Sequence, residues 1–137
     1  MRSWAEHEVA VDALKTSYAH IPAHQPVRLA KSTSNLFRPR ATTETPGLDV
    51  SKLDDAIVID PANRLADVQA TGTYEPLAEE TLRFGLIPTV VPQLRTITLG
   101  GAVTGLGIES TSLRLGLPHE AVLEMDVLCG DGTLITA

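Results

Sequence analysis

The stretch Thr98-Leu99-Gly100-Gly101-Ala102-Val103-Thr104-Gly105-Leu106-Gly107-Ile108-Glu109-Ser110-Thr111-Ser112 decides how this chain is read. Four of its fifteen residues are glycines, and the last three carry hydroxyls. Glycine lets the backbone adopt positive φ and approach a ligand closely. Successive N–H groups turned to one side make an anion-binding concavity. A helix pattern starting near Ala102 would add its positive N-terminal end. Together these features suit a phosphate-bearing cofactor, and a plain glycine-rich surface loop is the alternative.

Working outward, the 137 residues fit one ordinary domain with room for a core. An apolar fraction of 43% and a mean hydropathy of +0.07 are those of a folded chain rather than a disordered one. No apolar run approaches the ~18 residues of a membrane span. Glu6, Glu8 and Asp12 interrupt any signal-peptide core at the N-terminus. Cys129 is the one cysteine, so no internal disulfide can form and a reducing, cytoplasmic location is expected, with peripheral membrane association left open. Cys129 itself reads as a small structural residue.

The net charge is −6, unevenly spread: residues 1–40 hold six of the eleven basic residues and three of the seventeen acids. Arg28, Lys31, Arg38 and Arg40 crowd one short segment, the natural place to look for an anion. An acidic chain without aromatic interleaving argues against nucleic acid, and a small phosphorylated ligand fits better.

Ser3 followed by Glu6 predicts a capping box opening a helix to about Ala19, with Ala10 or Val11, Leu14 and Tyr18 as a modest apolar stripe. Val27–Ala30 reads as a strand running into the polar loop Lys31–Asn35, and Pro39 to Gly47 as an exposed connection. Ala56–Ile59 and Leu65–Ala70 are expected as strands joined through Asp60-Pro61-Ala62-Asn63. Thr73 should cap a helix over Tyr74–Phe84 that stops at Gly85. Ile87–Pro92 reads as extended. Ala121–Leu128 and Thr133–Thr136 read as strands around the hairpin signal Gly130-Asp131-Gly132. The class is α/β or α+β on this pattern. Ala137 falls inside the second hairpin strand, so the chain is expected to be the front of a longer protein. His7, His20 and His24 match no metal signature and read as solvated surface, no metal is expected, and His119 reads as structural or surface.

Three blocks carry a family resemblance: Val27–Arg38, Pro92–Gly101 and Gly105–Ser112. In order and spacing they resemble the FAD-binding (PCMH-type) domain of the vanillyl-alcohol-oxidase/p-cresol-methylhydroxylase superfamily. Gly107-Ile108-Glu109-Ser110 followed by Arg114-Leu115-Gly116-Leu117 is most similar to its Diminuto branch, which includes sterol delta-24 reductases and related FAD-linked oxidases. The resemblance runs from about Val27 to Ala137. It implies an α+β fold of two subdomains, about 1–92 and from about 98 onward, the second truncated and the substrate-binding cap absent.

The resemblance further implies that Ser32, Thr33, Ser34, Asn35 and Leu36 wrap the FAD pyrophosphate. It places Thr98, Gly100, Gly101, Ala102, Gly105, Gly107, Ile108, Glu109, Ser110 and Ser112 along the flavin side. Glu109 is the oddity there, with a ribose hydroxyl or Arg114 as its expected partner. Many members hold the flavin covalently on a histidine of the first loop. None lies between Lys31 and Arg40 here, so non-covalent FAD is expected. The implied function is a flavin-dependent oxidoreductase passing hydride through flavin N5 on a small hydrophobic substrate, with NAD(P)H a further candidate partner bound downstream. No catalytic residue is assigned. The alternative is a non-catalytic nucleotide-binding or interaction fragment.

Overall fold

In the computed structural model, residues 1–31 and 47–137 are described. The expected loop Ser32–Leu36 and nearly all of the Pro39–Gly47 connection lie outside the described residues.

Helix α1 spans Trp4–Ala19 and opens on the expected capping box. The Ser3 N–H and hydroxyl each donate to Glu6 Oε2 at 2.8 Å, while the Glu6 N–H donates back to Ser3 Oγ. Of the expected stripe only Ala10 is fully buried. His7 is better tied down than a solvated histidine. The buried Gln69 accepts the Asp55 N–H through Oε1 at 3.0 Å, which turns its Nε2 towards His7 Nδ1, 3.1 Å away. Since the amide nitrogen can only donate, Nδ1 is the accepting nitrogen in this contact. The Trp4 ring meets His7 edge-on, with centroids 5.6 Å apart. These contacts correct the surface reading of His7.

Strand β1, Arg28–Ala30, pairs in parallel with β2, Gly47–Asp49, in the register Arg28 to Gly47 and Ala30 to Asp49. Strand β2 was not visible in the sequence. It is three residues long and supplies one buried side chain, Leu48, too little for an alternation to be read. Strands β3, Ala56–Asp60, and β4, Leu65–Val68, form the expected antiparallel hairpin. Asp60 Oδ1 accepts from the Ala62 and Asn63 N–H groups, the Asx geometry that made the turn predictable. β4 ends two residues before Ala70 because the chain turns there, with Gly72 N–H donating to the Gln69 carbonyl.

Helix α2, Tyr74–Leu82, buries Tyr74, Leu77 and Thr81, as its spacing predicts, but leaves Leu82 exposed. It stops two residues short of Phe84. Gly85 takes φ +70° and the Leu86 N–H reaches back to the Thr81 carbonyl, the left-handed helix stop that glycine permits. Thr73 occupies the cap position without a side-chain cap bond. Ile87–Pro92 pairs with no strand; it is irregular chain that buries Val90.

Helix α3, Leu99–Thr104, and the single turn α4, Ser112–Leu115, follow. The expected strand over Ala121–Leu128 is a 3₁₀ turn at Pro118–Ala121 and then a short β5, Asp126–Leu128. Proline at the first position pre-sets a helical φ, which overrides the apolar run after it. β5 pairs antiparallel with β6, Leu134–Thr136, around the expected turn, where Gly132 has φ +86°. The whole is a mixed α+β arrangement. Its thin core of Leu48, Val50, Ala56, Ile57, Tyr74, Leu77, Val90 and Ala102 lies among α1, β2, β3, α2 and α3.

Four carboxylates, three exposed and one (Asp60) half-buried, stabilise turns and caps. Backbone and hydroxyl donors of Ser3 hold Glu6 below the usual carboxylate range, and the Ser51 N–H does the same for Asp49. The Asn63 side chain and then its N–H lower Asp60, and the Thr133 hydroxyl and N–H lower Asp131. The folded chain therefore binds these protons less tightly than the unfolded chain. Their stabilisation is present above the usual carboxylate range and lost as pH falls through it. Thermal melts of the full-length protein followed by circular dichroism should show a midpoint that drops on acidification. In Glu6→Gln and Asp131→Asn variants that drop should shrink; an unchanged acid response in both would refute the assignment.

Candidate functional site

The glycine-rich segment folds onto the connection between β4 and α2. The Leu99 N–H donates to the Gly72 carbonyl and the Gly100 N–H to the Ala70 carbonyl, both at 2.8 Å. Thr73 and Thr98 form an antiparallel bridge, and the Tyr74 N–H donates to the Ile97 carbonyl at 3.1 Å. Thr98 is the N-cap of α3: its Oγ1 accepts from the Gly101 N–H at 3.2 Å, and its carbonyl from Ala102. The helix thus starts at Leu99, three residues before the expected Ala102, because Thr98 supplies the cap.

All four leading amides of α3 are consequently satisfied inside the protein. The expectation that this helix end presents free donors to an anion is corrected by these bonds. Gly100, Gly101, Gly105 and Gly107 also do not use left-handed φ; Leu106, at φ +49°, is the residue of the segment that does. For Gly100 the need is space. A Cβ there would stand 2.9 Å from the Ala70 carbonyl oxygen and 3.1 Å from its Cβ.

The expected residues separate into two groups. Thr98, Gly100 and Ala102 form the inner part, with Ala102 buried. Gly101 is exposed in the first turn, Gly105 closes the helix, and the Gly107 N–H donates to the Ala102 carbonyl. Ile108, Glu109, Ser110 and Ser112 form an outer loop. The Glu109 N–H donates to Ser112 Oγ at 3.0 Å and the Ser112 N–H to the Glu109 carbonyl at 2.9 Å. Among the described residues no acceptor engages the N–H groups of Ile108, Ser110 and Thr111. Ile108 is 75% exposed and Ser110 is exposed as well.

The half-buried Glu109 does not turn to Arg114. Its Oε2 accepts from the Gln93 N–H at 3.3 Å. It also lies near the buried Tyr74, whose hydroxyl proton is held more tightly first through burial and then through the Glu109 charge. The carboxylate is thus engaged by the fold rather than by Arg114.

One contact of the segment was not expected from the sequence. Lys31, at the end of β1, donates from Nζ to Thr98 Oγ1 at 3.1 Å in a half-buried contact. It joins the basic segment to the glycine-rich segment across the fold. Its signal in the sequence was its place directly before the hydroxyl-rich Ser32–Leu36 stretch, which itself lies outside the described residues. No group of three His, Cys, Asp or Glu residues suited to a metal occurs among the described residues. No helix among them is long and apolar enough to cross a membrane.

A family profile described as an FAD binding domain matches residues 6–137. The chain belongs to that family. Its cofactor is FAD, and the chain is a flavoprotein domain of a flavin oxidoreductase family. It is 29% identical over 90 residues to a Delta(24)-sterol reductase of Pisum sativum, covering 66% of this chain and 16% of the relative. It is 34% identical over 70 residues to Cytokinin dehydrogenase 3 of Arabidopsis thaliana, covering 51% of this chain and 13% of the relative. A Delta(24)-sterol reductase homolog of Caenorhabditis elegans is 26% identical over 99 residues, 72% of this chain and 18% of the relative. The chain therefore spans less than a fifth of the length of these relatives. No solved structure matches.

The donor set present fits such a cofactor. An ammonium group, exposed loop amides and an exposed serine hydroxyl are the groups a diphosphate accepts from.

Replacing Gly100 by Val should destabilise the full-length protein by about 1–3 kcal/mol, the range for forcing atoms into a packed site. The Cβ would have to displace the Ala70 carbonyl that accepts the Gly100 N–H. Calorimetric melts check this, and a Gly100→Val midpoint equal to the parent's would disprove the tight contact.

Proposed function

We propose that this chain is the cofactor-holding part of an FAD-dependent oxidoreductase acting on a small hydrophobic, sterol-like substrate. The observation that carries the reading is the match of an FAD-binding family to residues 6–137, a range that includes the glycine-rich segment from Thr98 to Ser112. Residues up to about 92 would form a first subdomain and those from about 98 a second. Thr98, Gly100, Gly101, Ala102, Gly105, Gly107, Ile108, Glu109, Ser110 and Ser112 would line the cofactor together with Ser32–Leu36. Within that set the bond pattern divides the work. Thr98, Gly100 and Ala102 set the backbone in place, and the Ile108, Ser110 and Thr111 amides are donors for the cofactor.

FAD, when bound, supplies hydride transfer at flavin N5. The match to two Delta(24)-sterol reductases supports reduction of a carbon–carbon double bond. In that reaction NAD(P)H gives up a hydride and becomes NAD(P)⁺; one alkene carbon gains the hydride and the other a proton. The match to a cytokinin dehydrogenase favours a second substrate, a cytokinin, as the hydride donor. The groups that bind the substrate and move its proton would lie outside this chain. Linkage to FAD would be non-covalent, since residues 32–39 hold no histidine. The single cysteine supports a reducing, cytoplasmic setting.

The full-length protein, purified, should be yellow and should release all its flavin on acid precipitation. Colour retained on the pellet would refute non-covalent linkage, and failure of the colourless protein to take up FAD would refute the cofactor site. Anaerobic bleaching of the flavin by NADPH, followed by reoxidation on adding a sterol with a side-chain double bond, supports the reductase. Bleaching by a cytokinin instead supports the second substrate.

A further inference from the structure

The glycine-rich segment and the chain that follows it are tied to the front of the protein at both ends. At the start, the Leu99 and Gly100 N–H groups donate to the Gly72 and Ala70 carbonyls. At the far end, the Tyr18 hydroxyl on α1 donates to the Gly130 carbonyl at 2.7 Å, a bond that spans 112 positions of the chain. The Tyr18 ring also lies on Gly132, where a Cβ would meet its Cδ1 and Cε1 at 3.7 and 3.8 Å. Gly132 turns with φ +86°, which glycine adopts without strain, and the ring covers that turn.

Among the described residues, every other hydrogen bond made by residues 125–137 stays within that stretch. Beside the Tyr18 ring an open cavity of about 580 Å³ lies between α1 and the turn, lined in part by Lys15, Ile21, His24 and Val27. The hairpin therefore meets α1 through one ring and one bond.

Resting on the FAD reading above, we infer that Tyr18 is a positioning residue for the cofactor segment, a catch that holds the β5–β6 hairpin on α1 and slows release of FAD. The coupling is mechanical. The Ile108, Ser110 and Thr111 amides lie between the two anchors. There the described residues add one longer bond to the front of the chain, from the Gln93 N–H to Glu109 Oε2 at 3.3 Å. Opening the catch frees the rear end of this loop, and amides that act together on one anion lose their common aim. The free energy of such a local opening is set by the few contacts it breaks.

The test uses the full-length protein. Hydrogen–deuterium exchange in the flavin-free state reports opening of the hairpin, and dilution of the FAD-loaded protein into a flavin scavenger reports release. Tyr18→Phe keeps the ring and removes the hydroxyl, whereas Tyr18→Ala removes both. Tyr18→Phe should speed exchange of the β5 and β6 amides and release of FAD about fivefold each, the scale of one neutral hydrogen bond. Tyr18→Ala should speed both further. Ser3→Ala loosens the opposite end of α1 and should change neither.

A Tyr18→Phe protein with the parent's hairpin exchange overturns the catch. Faster exchange with the parent's rate of FAD release overturns its hold on the cofactor. Equal speeding of release by Ser3→Ala would make the effect a general loss of stability, and that also overturns the inference. If Tyr18→Ala does not fold, Tyr18→Phe carries the comparison. A parent protein that binds no FAD would instead overturn the cofactor reading, and exchange in the flavin-free state would still decide whether the catch exists.

Discussion

Two backbone hydrogen bonds, Leu99 N–H to the Gly72 carbonyl and Gly100 N–H to the Ala70 carbonyl, are what the rest of this structure depends on. Each contributes only about 1 kcal/mol net, but leaving a buried amide unpaired costs about 1–3 kcal/mol. They seal the helix end and tie the glycine-rich segment to the turn between β4 and α2. That turn is itself packed hard: a Cβ on Gly72 would lie 3.0 Å from the Gln69 carbonyl oxygen. Gln69 in turn binds the Asp55 N–H and His7, so the start of α1 and the neighbouring ends of β3 and β4 meet around one buried amide side chain.

The closed helix end redistributes the chemistry. A dipole argument would put the anion at Leu99–Ala102. With those amides occupied, the amides of the segment that no acceptor among the described residues engages are those of Ile108, Ser110 and Thr111. Several acids among the described residues are engaged elsewhere in the fold. Glu109 faces Gln93 and Tyr74. Asp54 binds Arg2, Asp55 binds the N-terminal ammonium, and Glu75 binds Arg95, all exposed or partly exposed pairs of small energetic weight.

Local signals were legible wherever the residues concerned are neighbours in sequence. The Ser3–Glu6 capping box, the Asp60–Asn63 turn, the Gly85 stop and the Gly130–Gly132 hairpin each rest on bonds spanning three to five residues. The buried face of α2 was legible for the same reason, since Tyr74, Leu77 and Thr81 repeat at helical spacing. Strand β2 was not, because its partner lies beyond a long connection and its own pattern is too short. Ala121–Leu128 was read too long because the partner strand β6 is only three residues, Leu134–Thr136, and pairs with Asp126–Leu128 alone, which an apolar run does not reveal.

The candidate site divides along the same line. Residue types alone determined that a glycine- and hydroxyl-rich segment and a basic segment are present, and the order of the blocks determined the FAD-binding family. Only the tertiary structure decided which donors remain. Whether an N–H is available depends on what lies opposite it, and for Leu99 and Gly100 that is a carbonyl some thirty residues earlier in the chain. It likewise decided that Lys31 donates to Thr98 and that Glu109 accepts from Gln93. Such pairings are set by how distant elements pack, and no periodicity along the sequence encodes them.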